Sequence, residues 1–199
     1  MMRLIMDRRA RAGALVLAAV LVIAVRPLPA QERPIEQGSL DALLGRYSMK
    51  EPRFETVYPK GGLLAGLGAS ARIISNLNLY LEAKYWEREG GLTFSGEPTT
   101  FRLFPISLGA RYIVPLGVIN PYLGAGGDIY FYYEDNAIGT TANSATGAHA
   151  TAGTYVRLSR DWPLMIHLKA KYTWIKASGA DFDVELGGFE YLAGLSLAF

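Results

Sequence analysis

The sequence predicts an all-β fold, an eight-stranded antiparallel up-and-down β-barrel that crosses a membrane. Three observations carry this. Hydrophobicity alternates with a period of two over most of the chain beyond residue 40. The segments between the alternating runs switch between short and long. The apolar faces run for about ten residues and finish in aromatics, as tilted membrane-crossing strands do.

The elements follow in order. Residues 1–30 read as a signal peptide: a basic start with Arg3, Arg8, Arg9 and Arg11, an uncharged apolar run over 14–25, and the small residue Ala30 before a polar stretch. That run is shorter than the roughly 20 residues a membrane-spanning helix needs. Residues 31–41 are expected to be a periplasmic N-terminal segment, and 42–199 the barrel domain. The first strand, "ALLGRYSMK" (42–50), is the least regular. In 62–74, Leu63, Ala65, Leu67, Ala69, Ala71 and Ile73 oppose Gly66, Gly68, Ser70 and Arg72. "LNLYLEAKYWE" (77–87) sets its leucines, Ala83 and Tyr85 against Asn78, Tyr80, Glu82, Lys84 and Trp86. Further strands fall at 101–114, 121–133 and 145–159. In "LMIHLKAKYTW" (164–174), Leu164, Ile166, Leu168, Ala170, Tyr172 and Trp174 oppose Met165, His167, Lys169, Lys171 and Thr173. No helix sorts residues this way, whereas a pleated strand does. The last strand is 188–199. Connections at 75–78, 115–120 and 160–163 are tight, and those at 51–61, 87–98, 134–145 and 177–187 are long. Tight turns at one end and long loops at the other match a barrel of the outer-membrane kind.

A soluble barrel would show the same alternation with its apolar face turned inward. The opposite orientation is expected here. Aromatics gather near strand ends (Tyr85, Phe101, Tyr112, Phe131, Tyr133, Tyr172, Trp174, Phe189 and Phe199) as interfacial girdles do. The polar faces are rich in glycine, which suits a crowded lumen. Closure is a physical necessity in hydrocarbon, where an unpaired sheet edge finds no water.

Composition removes several function classes. There is no cysteine, so disulfides, thiolate metal sites and lipoprotein anchoring are excluded. The chain carries +2 overall, and residues 1–30 hold five arginines against Asp7, a net +4, which leaves −2 for the remainder. Nothing there asks for a nucleic-acid partner.

Three stretches resemble the small outer-membrane β-barrels of Gram-negative bacteria, the OmpA/OmpX/OmpW-like group. "EYLAGLSLAF" (190–199) is similar to the C-terminal signal of that group. "GRYSMKEPRFETVYPKGGLLAGLGASARI" (45–73) resembles its opening hairpin, and "FPISLGARYIVP" (104–115) a mid-barrel strand. The resemblance implies an integral outer-membrane location and contact with outer-membrane lipid and lipopolysaccharide. It also implies recognition of Tyr191, Leu195, Leu197 and Phe199 by the barrel-assembly machinery. It does not select among structural, adhesive, transport and enzymatic roles.

The polar faces supply the candidate site. By parity, Arg46, Arg72, Lys84, Arg111, Arg157, Lys169 and Lys171 are expected to point inward with Glu82, Asp128 and Glu190, as a lumen charge network. An eight-stranded interior is just wide enough for side chains, so an interlocked salt-bridge core is expected over a pore lining. The basic excess leaves a small anion path as the alternative. Two histidines, His149 and His167, take lumen parity. A lipid-modifying enzyme would need His149 to reach a nucleophile such as Ser144, with Asp135 as the acid. No such motif surrounds it, so structural histidines and no catalytic residue are expected. Asp181, Asp183 and Glu185 alternate as a set of carboxylates able to bind Ca²⁺, but without a recognisable binding loop; a solvated loop, no metal and no cofactor are expected. "GLGASA" (66–71) lacks the helix a dinucleotide site needs. "RFETVY" is expected to form a helical turn that plugs the mouth or packs on the rim, with Phe54 and Tyr58 on one side. The expected function is structural or surface-interacting and non-enzymatic. The alternative is a narrow transporter for small or hydrophobic solutes, by a lateral gap or a path along Tyr80, Trp86, Tyr122, Tyr130 and Tyr155.

Overall fold

A computed structural model describes residues 37–199 apart from 94, 138, 160, 161 and 179–182, without the side chains of 52, 53, 60, 61, 178 and 183. The stretch expected to be a signal peptide, and Asp181, lie outside the described residues. The strands are β1 (Gly38–Met49), β2 (Lys60–Ile74), β3 (Leu77–Gly91), β4 (Pro98–Ile113), β5 (Ile119–Asn136), β6 (Gly139–Arg157), β7 (Leu164–Ser178), β8 (Asp183–Glu185) and β9 (Gly188–Ala198). One short helix, α1 (Pro52–Val57), follows β1. Hydrogen-bonded neighbours run β6–β5–β4–β3–β2–β1–β9–β7, and β6 also pairs with β7, so eight antiparallel strands close on themselves. The closing seam joins β1 to β9 from Ser39↔Ala198 to Met49↔Gly188. β8 is a small addition to the end of β7.

Side-chain parity explains the closure. Leu79, Leu81, Leu108, Leu123, Leu168 and Leu195 all point away from the lumen, each about half exposed or more. In water this surface would be a liability; in hydrocarbon it is the favourable face. The opposite face of the same strands holds Asn78, Glu82, Lys84, Ser107, Asp128 and Lys171, all buried. Pro105 takes a ladder donor out of β4, yet pairing with β3 stays in register on either side of it, at Ala83↔Ile106 and Trp86↔Leu103.

Several boundaries differ from the sequence reading. β1 starts at Gly38 rather than 42, because Ser39 and Asp41 continue the lumen face one pleat at a time. The span 134–145, expected as a loop, is mostly a β5–β6 hairpin that ends at Asn136↔Gly139. Half of 87–98 is likewise strand, 87–91 in β3 and 98 in β4. Phe101, expected in a girdle, is buried inside the barrel at 6% exposure.

Arg46 is the largest correction. It faces out, beside Leu63 and Tyr191 of the neighbouring strands. A strand's faces are fixed together, so one inward residue decides the rest. In β1 the inward set is Ser39, Asp41, Leu43, Tyr47 and Met49, and burial of Tyr47 and Asp41 turns Arg46 outward.

Candidate functional site

The lumen is built from the inward residues of every barrel strand, and it is filled in three tiers. Nearest the short turns, Asp41 of β1 is the hub. It accepts hydrogen bonds from Ser39 Oγ (3.0 Å), Ser196 Oγ (2.6 Å) and the Tyr155 hydroxyl (3.2 Å). The Arg111 guanidinium lies 3.6 Å from Asp41 and sits against the rings of Tyr80, Tyr122 and Tyr155, 5.0–5.4 Å from their centroids. Such contacts partly replace the hydration an arginine loses. His167 stacks on Tyr155 at 4.1 Å, and its Nε2 meets the Tyr122 hydroxyl at 2.8 Å.

The middle tier is an ion-pair lattice. Lys169 donates to Glu82, and Lys84 lies 3.2 Å from the other oxygen of that carboxylate. Lys84 also donates to Glu190 at 2.5 Å. Lys171 donates to Asp128 (2.7 Å) and Ser107 (2.8 Å) and lies 3.3 Å from Glu190. His149 bridges Asp128, at 2.9 Å from Nδ1, to the Tyr80 hydroxyl at Nε2.

The outermost tier is aromatic. Phe54 of α1 stacks on Trp86 at 5.5 Å and on Tyr58 at 4.6 Å, and meets Phe101 edge-on at 5.1 Å. Tyr47 meets Trp86 edge-on at 5.1 Å and donates its hydroxyl to the Leu186 carbonyl. The helix end is tied down where Arg88 Nε donates to the Tyr58 carbonyl (2.8 Å) and Tyr58 donates to Glu134 (2.7 Å). The segment "RFETVY" therefore caps the lumen, the first of the two placements its sequence allows.

The structure brings together Glu82, Lys84, Arg111, Asp128, Lys169, Lys171 and Glu190. Arg46 lies on the opposite face. Arg72 and Arg157 face inward but sit half-buried at the short-turn mouth, beside Asn76, Asn78 and Asn120. Asp41 was not among the expected acids, although its alternation with Ser39 between Leu40 and Ala42 marks it as lumen-facing. Among the described residues the buried charges are then Asp41, Glu82, Asp128 and Glu190 against Lys84, Arg111, Lys169 and Lys171. The fully buried charges are thus balanced four to four, and the remaining inward basic excess, Arg72 and Arg157, lies at the short-turn mouth. His149 and Ser144 are not brought together: Ser144 is exposed on the outer face, across from Phe131, and Asp135 binds Thr140. Glu185 is occupied by Lys50 (3.2 Å) and Lys176 (3.6 Å), and these lysines hold its carboxyl below the usual range.

Two lumen tyrosines, Tyr122 and Tyr80, lie directly against glycines. A Cβ at Gly153 would lie 2.5 Å from the Tyr122 hydroxyl, and one at Gly109 would lie 2.7 Å from that of Tyr80. Gly153→Val is expected to lower stability by about 1–3 kcal/mol through overpacking, read from urea unfolding in micelles.

Several solved structures share this fold. Neisserial surface protein A is 17% identical, with 81% of this chain and 96% of that one aligned at a TM-score of 0.60. The outer membrane protein OprG from Pseudomonas aeruginosa is 13% identical over 86% of this chain and 99% of that one, also at 0.60. The N-terminal β-barrel domain of Pseudomonas aeruginosa OprF is 16% identical over 82% and 98%, at 0.55. No protein-family description and no curated protein matches the chain. The likeness is one of fold, that of the small outer-membrane β-barrels.

Proposed function

We propose that the chain is an integral outer-membrane barrel that conducts no ions, has no catalytic activity, and serves a structural or surface-interaction role through its outer loops. The observation that carries this is the occupied lumen: a lattice of buried ion pairs lies beneath an aromatic cap. Recognition by the assembly machinery through Tyr191, Leu195, Leu197 and Phe199 belongs to the same reading. The first three are carried on β9 and Tyr191, Leu195 and Phe199 are exposed on the lipid face. Planar-bilayer recording tests the core of the proposal. The expected result is a silent membrane; reproducible unitary openings would overturn it. An altered lipid profile in cells expressing the protein, abolished by His149→Ala, would overturn the non-enzymatic part.

One observation favours a second reading, transport of a small hydrophobic solute. β6 keeps its ladder with β5 up to Gly139, but its ladder with β7 ends at Gly147↔Ile175. Residues 139–146 therefore have no partner on the β7 side among the described residues. Behind that seam lies the apolar outer lumen, with Ala145, Ile175, Ala177 and Leu186. A solute leaving sideways there would never cross the ion-pair lattice.

A further inference from the structure

The lipid-facing surface carries one cation that the lumen does not explain. Arg46 projects outward between Leu63 and Tyr191, which are 61% and 57% exposed. Among the described residues its guanidinium has no hydrogen bond or ion pair. Two carboxylates of the outer rim are engaged elsewhere: Glu87 holds Arg102 at 2.9 Å, and Glu185 holds Lys50 at 3.2 Å. A charge turned toward lipid is unfavourable unless it finds water or an opposite charge.

Two neighbouring features supply the rest of a site. Ser48 lies on the same outward face of β1, about 7 Å further along the strand, and its hydroxyl makes no hydrogen bond among the described residues. Arg46 also lines a shallow, open depression of about 710 Å³ on the outer wall, together with Leu44, Ala152, Leu168, Ala170, Tyr191 and Ala193. A guanidinium with a hydroxyl beside it grips a phosphate through charge-assisted hydrogen bonds, and an apolar depression takes an acyl chain.

We propose that Arg46 and Ser48 bind the phosphate of an outer-leaflet glycolipid of the lipid A type, with an acyl chain lying in the Ala152–Ala170–Ala193 depression. The choice of leaflet rests on the outer-membrane reading above. Arg46 lies three residues from the end of β1 at Met49, on the rim that carries α1 and the β5–β6 hairpin, while the tight turns lie at the opposite rim. In barrels of this architecture the more elaborated rim faces outward.

The full barrel, refolded into phosphatidylcholine nanodiscs doped with lipid A, dephosphorylated lipid A or phosphatidylglycerol, tests this by native mass spectrometry of the retained lipid. Wild type is expected to retain lipid A. Arg46→Gln is expected to retain about tenfold less, and Ala170→Phe, which fills the depression, is expected to retain less as well. Equal retention by wild type and Arg46→Gln would overturn the site. Equal retention of dephosphorylated lipid A by wild type, a comparison that needs no variant to fold, would remove the phosphate from it. Equal retention of phosphatidylglycerol would overturn the glycolipid assignment. Conductance recorded on the same preparations reports on the lumen separately, so a failed lumen reading and a failed lipid site are told apart.

Discussion

Glu82→Leu is expected to destabilise the barrel by about 3–5 kcal/mol, the usual consequence of removing one partner from a buried ion pair. Glu82 is 1% exposed and serves two lysines. Without it Lys84 keeps Glu190, but Lys169 keeps no carboxylate partner among the described residues, only the face of the Tyr80 ring at 5.2 Å. An ammonium stranded in a filled lumen has neither water nor counter-charge. The double variant Glu82→Leu/Lys169→Leu removes both charges and is expected to recover much of the loss, since well-packed apolar pairs replace buried ion pairs at little cost. Urea unfolding of wild type, both single variants and the double variant gives the coupling directly. If Glu82→Leu alone costs less than about 1 kcal/mol, water fills the lumen and the lattice is solvated.

The size of that effect follows from what the lattice connects. Backbone ladders join only neighbouring strands. The side-chain bonds run across the lumen instead, from Lys169 of β7 to Glu82 of β3, from Lys84 of β3 to Glu190 of β9, and from Tyr155 of β6 to Asp41 of β1. A one-residue slip of any strand would turn its charged residue into lipid and leave the partner unpaired. The lattice therefore penalises wrong register more steeply than the ladders alone.

The fold was legible because membrane strands repeat one simple rule. In β3, β7 and β9 apolar and polar residues alternate over most of each strand, and their faces follow directly from the sequence. β1 breaks the rule. Leu43, Tyr47 and Met49 point inward to meet the aromatic cap, while Leu44 points out, so apolarity alone does not tell the faces apart. That ambiguity turned Arg46 the wrong way and hid Asp41. The outer lumen was harder still. There the interior is apolar on both sides of the pleat, so Phe101 reads as a girdle residue until α1 is seen packed against it. Which cation meets which carboxylate was not legible at all, because most of these partners sit on different strands, two to six apart in chain order, and meet only after the barrel closes.

Trp86→Ala is expected to cost about 3–5 kcal/mol, as large-to-small changes of buried aromatics do, while Trp86→Phe is expected to cost less than about 1.5 kcal/mol because it keeps a packed ring. Trp86 is 1% exposed and is the ring on which the cap converges: Phe54, Tyr47 and Phe101 all contact it, and the Arg88 guanidinium lies 5.7 Å from its centroid. The same pair of variants separates the two functional readings. In the structural reading the cap is packing, and opening it exposes only the top of the ion-pair lattice, so vesicles carrying Trp86→Ala take up an apolar fluorescent dye no faster than wild type. In the transport reading the cap is a barrier beside the β6–β7 seam, so Trp86→Ala speeds uptake and Trp86→Phe does not. Stability and flux thus move together only if a solute passes through the cap. A folded Trp86→Ala barrel with wild-type dye flux assigns Trp86 to packing; faster flux moves the function to the seam.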